Sequence, residues 1–185
     1  MKIKGHILNA RKDFVRSNFG DAGWEKVVSA MPAKDQEVLK GVLLSSQWYL
    51  FEIGDRLDKA IVDVLGGGKK SFFEDLGAKS AQRSLSMEHK SFLSVGNPQA
   101  FMKKADMIYK FYYNIGRREY KETGPTSGVM TTYDAETFSV ADCLTVIGWY
   151  RVALKMCGVK EVKIVEEECR ATGGSCCRFR FEWKM

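Results

Sequence analysis

Apolar and polar positions follow a helical rhythm through most of the first 115 residues. Between residues 9 and 30, Phe14, Val15, Phe19, Trp24, Val27 and Val28 interleave with Arg11, Lys12, Asp13, Arg16, Glu25 and Lys26 at the spacing of a helix with one buried stripe. Asn18-Phe19-Gly20 interrupts the stripe. Gly20 suits a left-handed helix end and Asp21 the cap of a following helix, so two helices are predicted. Pro32 with Lys34 to Leu44 predicts a third, and Ser45-Ser46 ahead of Trp48 to Leu65 a fourth that ends at Gly66-Gly67-Gly68. Two more run from about Ser71 to Glu88 and from about Pro98 to Ile115, separated by the turn Val95-Gly96-Asn97-Pro98 with Asn97 as a cap.

After Gly116 the rhythm changes. Residues from about Arg118 to Tyr133 mix β-branched side chains with Gly124-Pro125 and Gly128, as two strands around a turn do. Val140 to Cys157 reads as a helix closed by Gly158, and Val159 to Glu168 as a strand. In the last segment Cys177, Phe179, Phe181 and Trp183 alternate with Arg178, Arg180, Glu182 and Lys184, which buries one face and wets the other. The expected fold is α+β in a single domain, 1–185, with a mainly helical part, 1–115, packed on a C-terminal antiparallel sheet, 116–185. Cys143, Ile147, Tyr150 and Leu154 share one helix side, so that helix is expected to face the sheet.

A net charge of +6 permits weak attraction to nucleic acid, but basic residues are scattered among acids and the densest clusters, such as Arg117-Arg118, are single pairs. No nucleic-acid partner is expected. The opening lacks a signal-peptide apolar core, and no run approaches the roughly 20 residues of a membrane span, so a cytoplasmic protein with no membrane span is expected. The triple glycine lacks the Gly-Lys-Ser/Thr of a phosphate loop.

All five cysteines, Cys143, Cys157, Cys169, Cys176 and Cys177, fall in the last quarter of the chain, and an odd count without an export signal argues for reduced thiols. Cys169 and Cys177 flank a loop turning at Gly173-Gly174, and Cys143 and Glu166 are candidates to complete a tetrahedral zinc site. The bland reading, that these are small buried residues, is equally compatible with the spacing.

The segment Glu166 to Phe179, with Phe181 and Trp183, resembles the C-terminal signature of the 4-vinyl reductase type small-molecule-binding domain, which also forms the sensor module of phenol-responsive activators. Its fold is similar to the haem-NO-binding and Golgi-transport domains. The resemblance implies a structural Zn²⁺ held by Cys143, Glu166, Cys169 and Cys177, with Cys176 as a spare thiol. Landmarks such as Ser46-Gln47-Trp48-Tyr49, Asn97-Pro98 and Ile147-Gly148-Trp149 extend a resemblance over nearly the whole chain, to bacterial proteins that couple this domain to a helical N-terminal half. The opening, Lys2-Ile3-Lys4-Gly5 to Trp24, also resembles haem-based NO sensors. A haem needs an axial ligand, commonly histidine; only His6 and His89 exist, and none lies in the stretch from Phe92 to Phe101, so haem is not expected.

The function expected is a sensor or regulatory module holding a small apolar or aromatic ligand, with Trp48, Tyr49, Phe92, Phe101, Tyr109, Tyr112 and Trp149 as candidate lining residues. Simple core filling is the competing role for those aromatics. The alternatives are a haem- or tetrapyrrole-binding protein or a non-catalytic assembly subunit. No nucleotide fingerprint, no Ser-His-Asp signature and no histidine near the cysteines point to an enzyme. A homodimer and a downstream signalling protein are the partners that the resemblance implies.

Overall fold

The structure is a computed structural model describing residues 1–87 and 89–185. Strand β1 (Lys2–Lys4) leads into α1 (Gly5–Ser29) and α2 (Ala33–Lys40); β2 (Trp48–Leu50) leads into α3 (Phe51–Leu65) and α4 (Ser71–Ser86). Two short helices follow, α5 (Pro98–Met102) and α6 (Ala105–Tyr112). The C-terminal part is β3 (Arg117–Gly124), β4 (Ser127–Tyr133), α7 (Val140–Met156), β5 (Glu161–Glu168) and β6 (Cys177–Lys184). The expected α+β class is what forms: a helical N-terminal half and a four-stranded antiparallel sheet of order β3-β4-β6-β5.

Local signals explain most boundaries. Gly20, at φ 69° and ψ −177°, kinks α1 where the helix pair was expected. The Asn97 side chain accepts a hydrogen bond from the Ala100 N–H at 2.9 Å, and the Ser139 hydroxyl accepts from the Asp142 N–H at 3.0 Å, capping α5 and α7. Along β6, Cys177, Phe179, Phe181 and Trp183 are buried and Arg180, Glu182 and Lys184 exposed.

The structure departs from the pattern in four places. Trp48 to Leu50 is not the first turn of a helix but a strand, because Ile3 pairs with Tyr49 and buries its side chain; three-residue strands are too short to show a period. The segment from Pro98 to Ile115 is two helices, since the Lys104 N–H bonds back only three residues, to the Phe101 carbonyl at 3.0 Å, and closes α5. The third helix stops at Lys40 instead of Leu44, and the helix drawn to Glu88 stops at Ser86, with Glu88 itself outside the described residues.

Helix α7 occupies the centre. Cys143, Ile147, Tyr150 and Leu154 are buried toward the sheet, where the Tyr150 ring lies 5.8 Å from that of Phe181. On its other side α7 crosses α4 with backbones nearly touching. A Cβ on Gly148 would fall 1.9 Å from the Glu74 carbonyl oxygen, and one on Gly77 1.9 Å from the Thr145 carbonyl oxygen. Arg151 of α7 and Glu74 of α4 form an ion pair beside this seam. Among the described residues, no helix is long and apolar enough to cross a membrane.

Because backbone cannot yield as a side chain can, Gly148→Ala should lower the unfolding free energy by about 2–3 kcal/mol, the cost of overpacking. Gly173→Ala, at φ 97° with nothing within 4 Å of an added Cβ, should cost about 1 kcal/mol, the left-handed penalty alone. Urea midpoints at unchanged slope measure both.

Candidate functional site

Helices α1, α4, α6 and α7 and strand β3 enclose a cavity of about 50 Å³. Its walls are Ile7, Ile108, Val146 and Trp149 together with the rings of Tyr109, Tyr112, Tyr113 and Tyr150. Two arginines, Arg11 and Arg118, complete the lining with Gly77, Ser80 and Thr145, and no carboxylate does. The cavity has room for a few waters.

The two arginines are treated differently. Arg11 of α1 is 5% exposed and makes a bidentate pair with Asp58 of α3, Nε to Oδ1 at 2.7 Å and Nη2 to Oδ2 at 3.1 Å. Arg118 of β3 is 6% exposed, yet among the described residues it forms no ion pair. Its Nε donates to the Thr132 hydroxyl at 2.9 Å, and its guanidinium carbon lies 4.8 Å from the centre of the Tyr109 ring and 5.7 Å from that of Tyr150. Burial drives the Tyr109 hydroxyl up to about 12, against the pull of Arg118. Asp142 stands outside this cavity: its Oδ1 accepts from the Tyr113 hydroxyl at 2.7 Å. Burial raises the Asp142 carboxyl, while Tyr113 and then Arg118 pull it down.

A second cavity, of about 170 Å³, is lined by Lys4, His6, Ser45, Ser46, His89 and Phe111. It brings together the chain's two histidines, the buried His6 on the first turn of α1 and the half-buried His89 beyond α4, with ring centres 5.0 Å apart. Rings of Phe92, Phe111 and Tyr112 surround them, Phe111 at 4.5 Å from His89. Tyr112, which lines the first cavity, holds its ring 5.8 Å from that of His6.

The third feature is a thiol cluster. Cys143 on the first turn of α7, Cys169 just beyond β5 and Cys177 at the head of β6 hold their Sγ atoms within 4.8 Å of one another. The Cys143 thiol donates to Cys177 at 3.6 Å, and Cys169 donates to Cys143 at 3.7 Å. The bond from Cys143 draws the Cys177 thiol down to about 7, and donating it, together with burial, pushes Cys143 well up. Glu166 lies outside the cluster, but its Oε1 is buried without a hydrogen-bond partner. Cys176 belongs elsewhere, 3.3 Å from Glu168 Oε2 and beside Arg178. Cys157 is buried at the end of α7.

Of the aromatics expected to line a ligand site, Tyr109, Tyr112 and Trp149 wall the interlayer cavity. Phe101 is fully buried behind it, 6.3 Å from the Trp149 ring, and Phe92 stacks on His89 at 5.3 Å. Trp48 and Tyr49 lie apart on β2: Trp48 under the Lys4 ammonium at 4.0 Å, Tyr49 accepting from the Leu44 N–H at 3.1 Å. The sequence reading missed both cavity arginines. Arg118 resembles one half of a surface pair; the clue was its parity with Tyr120, since both occupy the covered face of β3.

No family model and no curated protein matches the chain, so the resemblance to the 4-vinyl reductase type domain gains no support. Solved structures do match over nearly the whole length. An H-NOX protein from S. oneidensis in an Fe(II)NO state shares 18% identity over 98% of this chain and 99% of its own, at a TM-score of 0.70. An unliganded Fe(II) H-NOX mutant from K. algicida shares 13% over 98% and 97%, at 0.72. An oxygen-binding H-NOX domain related to soluble guanylate cyclases shares 14% over 98% and 95%, at 0.69. The fold is that of the H-NOX domains. This bears out the haem-NO-binding-like architecture, and it corrects the expectation that haem is unlikely. That expectation searched one stretch for a histidine, whereas the H-NOX fold here brings His6 and His89 together from opposite ends of the helical half.

The Arg11–Asp58 pair ties α1 to α3 at the cavity wall. Asp58→Asn, which strands the buried guanidinium, should cost about 3–5 kcal/mol, read as a lowered urea midpoint.

Proposed function

We propose that the chain is a sensor domain of the haem-binding class, receiving a planar, largely apolar tetrapyrrole in the aromatic region around Tyr112. The single observation that carries this reading is the convergence of both histidines in an aromatic cleft of an H-NOX fold. His6 and His89 are the imidazole donors for an iron, Phe92, Phe111 and Tyr112 are the apolar faces, and Lys4 is a cation at the rim. The matched H-NOX structures are described in Fe(II), NO-bound and oxygen-bound states. Haem held by one of these two imidazoles would supply an iron able to take such a diatomic gas. The chain's own part is to offer the donor, exclude water with aromatic rings and pass a shift of Tyr112 to the interlayer cavity that the same ring borders. This role needs no catalytic residue. A signalling partner, or a second copy of the chain, would read the change.

Titration of the purified chain with haem should give a Soret band at one equivalent. His89→Ala and His6→Ala should each weaken or shift it, and the double variant should abolish it. A spectrum unchanged in the double variant defeats the assignment.

The thiol cluster favours a second, separate role. Tetrahedral bonds of about 2.3 Å to a zinc ion place sulfurs about 3.8 Å apart, close to the 3.6 and 3.7 Å found between Cys143 and its two neighbours. We propose that Cys143, Cys169 and Cys177 bind a thiophilic divalent ion, with Glu166 turning in as the fourth ligand, and so fasten α7 to the head of β6. The competing role, a cluster of ordinary buried thiols, predicts no metal. The purified chain should carry close to one zinc, and Cys169→Ser should lose it and lower the melting temperature. Because the ligands must shed protons to bind, affinity should fall as the pH is lowered. Full stability in the presence of a strong chelator would refute a structural ion.

A further inference from the structure

We infer that residues 134–138, between β4 and α7, are a strap that gates the thiol cluster, and that the Arg170 side chain is its latch. The three cluster cysteines are only 4%, 6% and 7% exposed, so an ion or a reagent reaches their sulfurs only when something covering them moves. The strands β5 and β6 are held by ladder hydrogen bonds and α7 by its own helical ones. Among the described residues, 134–138 have no backbone–backbone hydrogen bond, and a segment held that weakly opens before the core does. Ala135, Thr137 and Phe138 line a void of about 20 Å³ whose other walls include Cys143 and Cys177. Asp134, Glu136 and Phe138 are exposed and Ala135 is buried, so the strap has water on one side and this void on the other.

Arg170 follows the cluster residue Cys169 in sequence and holds the strap at two points. Its Nη1 donates to the Ala135 carbonyl oxygen, and its guanidinium carbon lies 4.4 Å from the centre of the Phe138 ring. Its main-chain N–H meanwhile donates to the Cys177 sulfur, so one residue touches both the gate and what it guards. A weaker tie joins the N-terminal ammonium to Glu136 at 3.4 Å. Two features favour opening once the latch lets go. Asp134, at the hinge with β4, has a positive φ of 57°, a strained conformation for an L side chain. The Thr137 hydroxyl is buried with no hydrogen-bond partner among the described residues, a cost that contact with water removes.

The gate acts on the thiols with or without a bound ion. Alkylation of the metal-free full chain by N-ethylmaleimide, read cysteine by cysteine by peptide mass spectrometry, therefore tests it apart from the zinc reading. Arg170→Gln should speed labelling of Cys143 and Cys177 about tenfold and leave Cys157, buried at the far end of α7, at its native rate. Phe138→Ala, which removes the surface under the guanidinium from an exposed position, should act in the same direction and serves if the glutamine variant does not fold. In the zinc-loaded chain, where the inference rests on the metal assignment above, both variants should speed uptake of the ion and its transfer to 4-(2-pyridylazo)resorcinol alike, so that affinity moves less than either rate. Native labelling of Cys143 and Cys177 already as fast as in urea, labelling unchanged in both variants, or Cys157 labelling that rises in step each overturns the gate. A chain that takes up no zinc yet shows the selective acceleration keeps the gate and defeats only the metal assignment.

Discussion

Contact between the backbones of α4 and α7 fixes everything built around it. With Gly77 facing the Thr145 carbonyl and Gly148 facing that of Glu74, the helices meet where ordinary pairs are held off by side chains. The gain is proximity: α7 can be covered on both sides at once, by α4 on one and the sheet on the other. A helix buried on both sides shows a weak stripe, since its surroundings are apolar nearly all round. The Val140–Met156 sequence has that character, with Ala, Val, Ile, Leu and Trp distributed around the axis and few charges.

That arrangement also explains what was legible in the sequence. Elements with one wet face announced themselves, β6 by its strict alternation and α1 by its stripe and the Gly20 interruption. What escaped was long-range. Nothing local marks Trp48 to Leu50 as a strand, because its partner is Lys2 to Lys4. The candidate site divides in the same way. Tyr109, Tyr112 and Trp149 could be picked out as aromatics on buried helix sides. Arg11 and Arg118 could not, because a buried cation looks like a surface cation until its surroundings are known. The histidines were seen but judged separately, since their meeting depends on how α1 packs beside the end of α4.

The three features lie along one path through the core. Cys143 and Trp149 sit on α7, Trp149 walls the interlayer cavity, and Tyr112 across that cavity lies 5.8 Å from the His6 ring. The polar groups between them, Arg118, Tyr113 and Asp142, form a connected interior where each charge influences the next. Such a network is expensive to leave incompletely satisfied.

The position of α7 has one mechanical consequence. The glycine seam prevents it from moving closer to α4, and its thiol end is gathered against Cys169 and Cys177 at the rim of the sheet. Of the cavity's walls, this leaves α1 and α6 as the compliant ones: α1 is kinked at Gly20, and α6 is only eight residues long. Anything that widens the interior would therefore be felt on the outer surface of the helical half, while the sheet stays still as the anvil against which the strain is delivered.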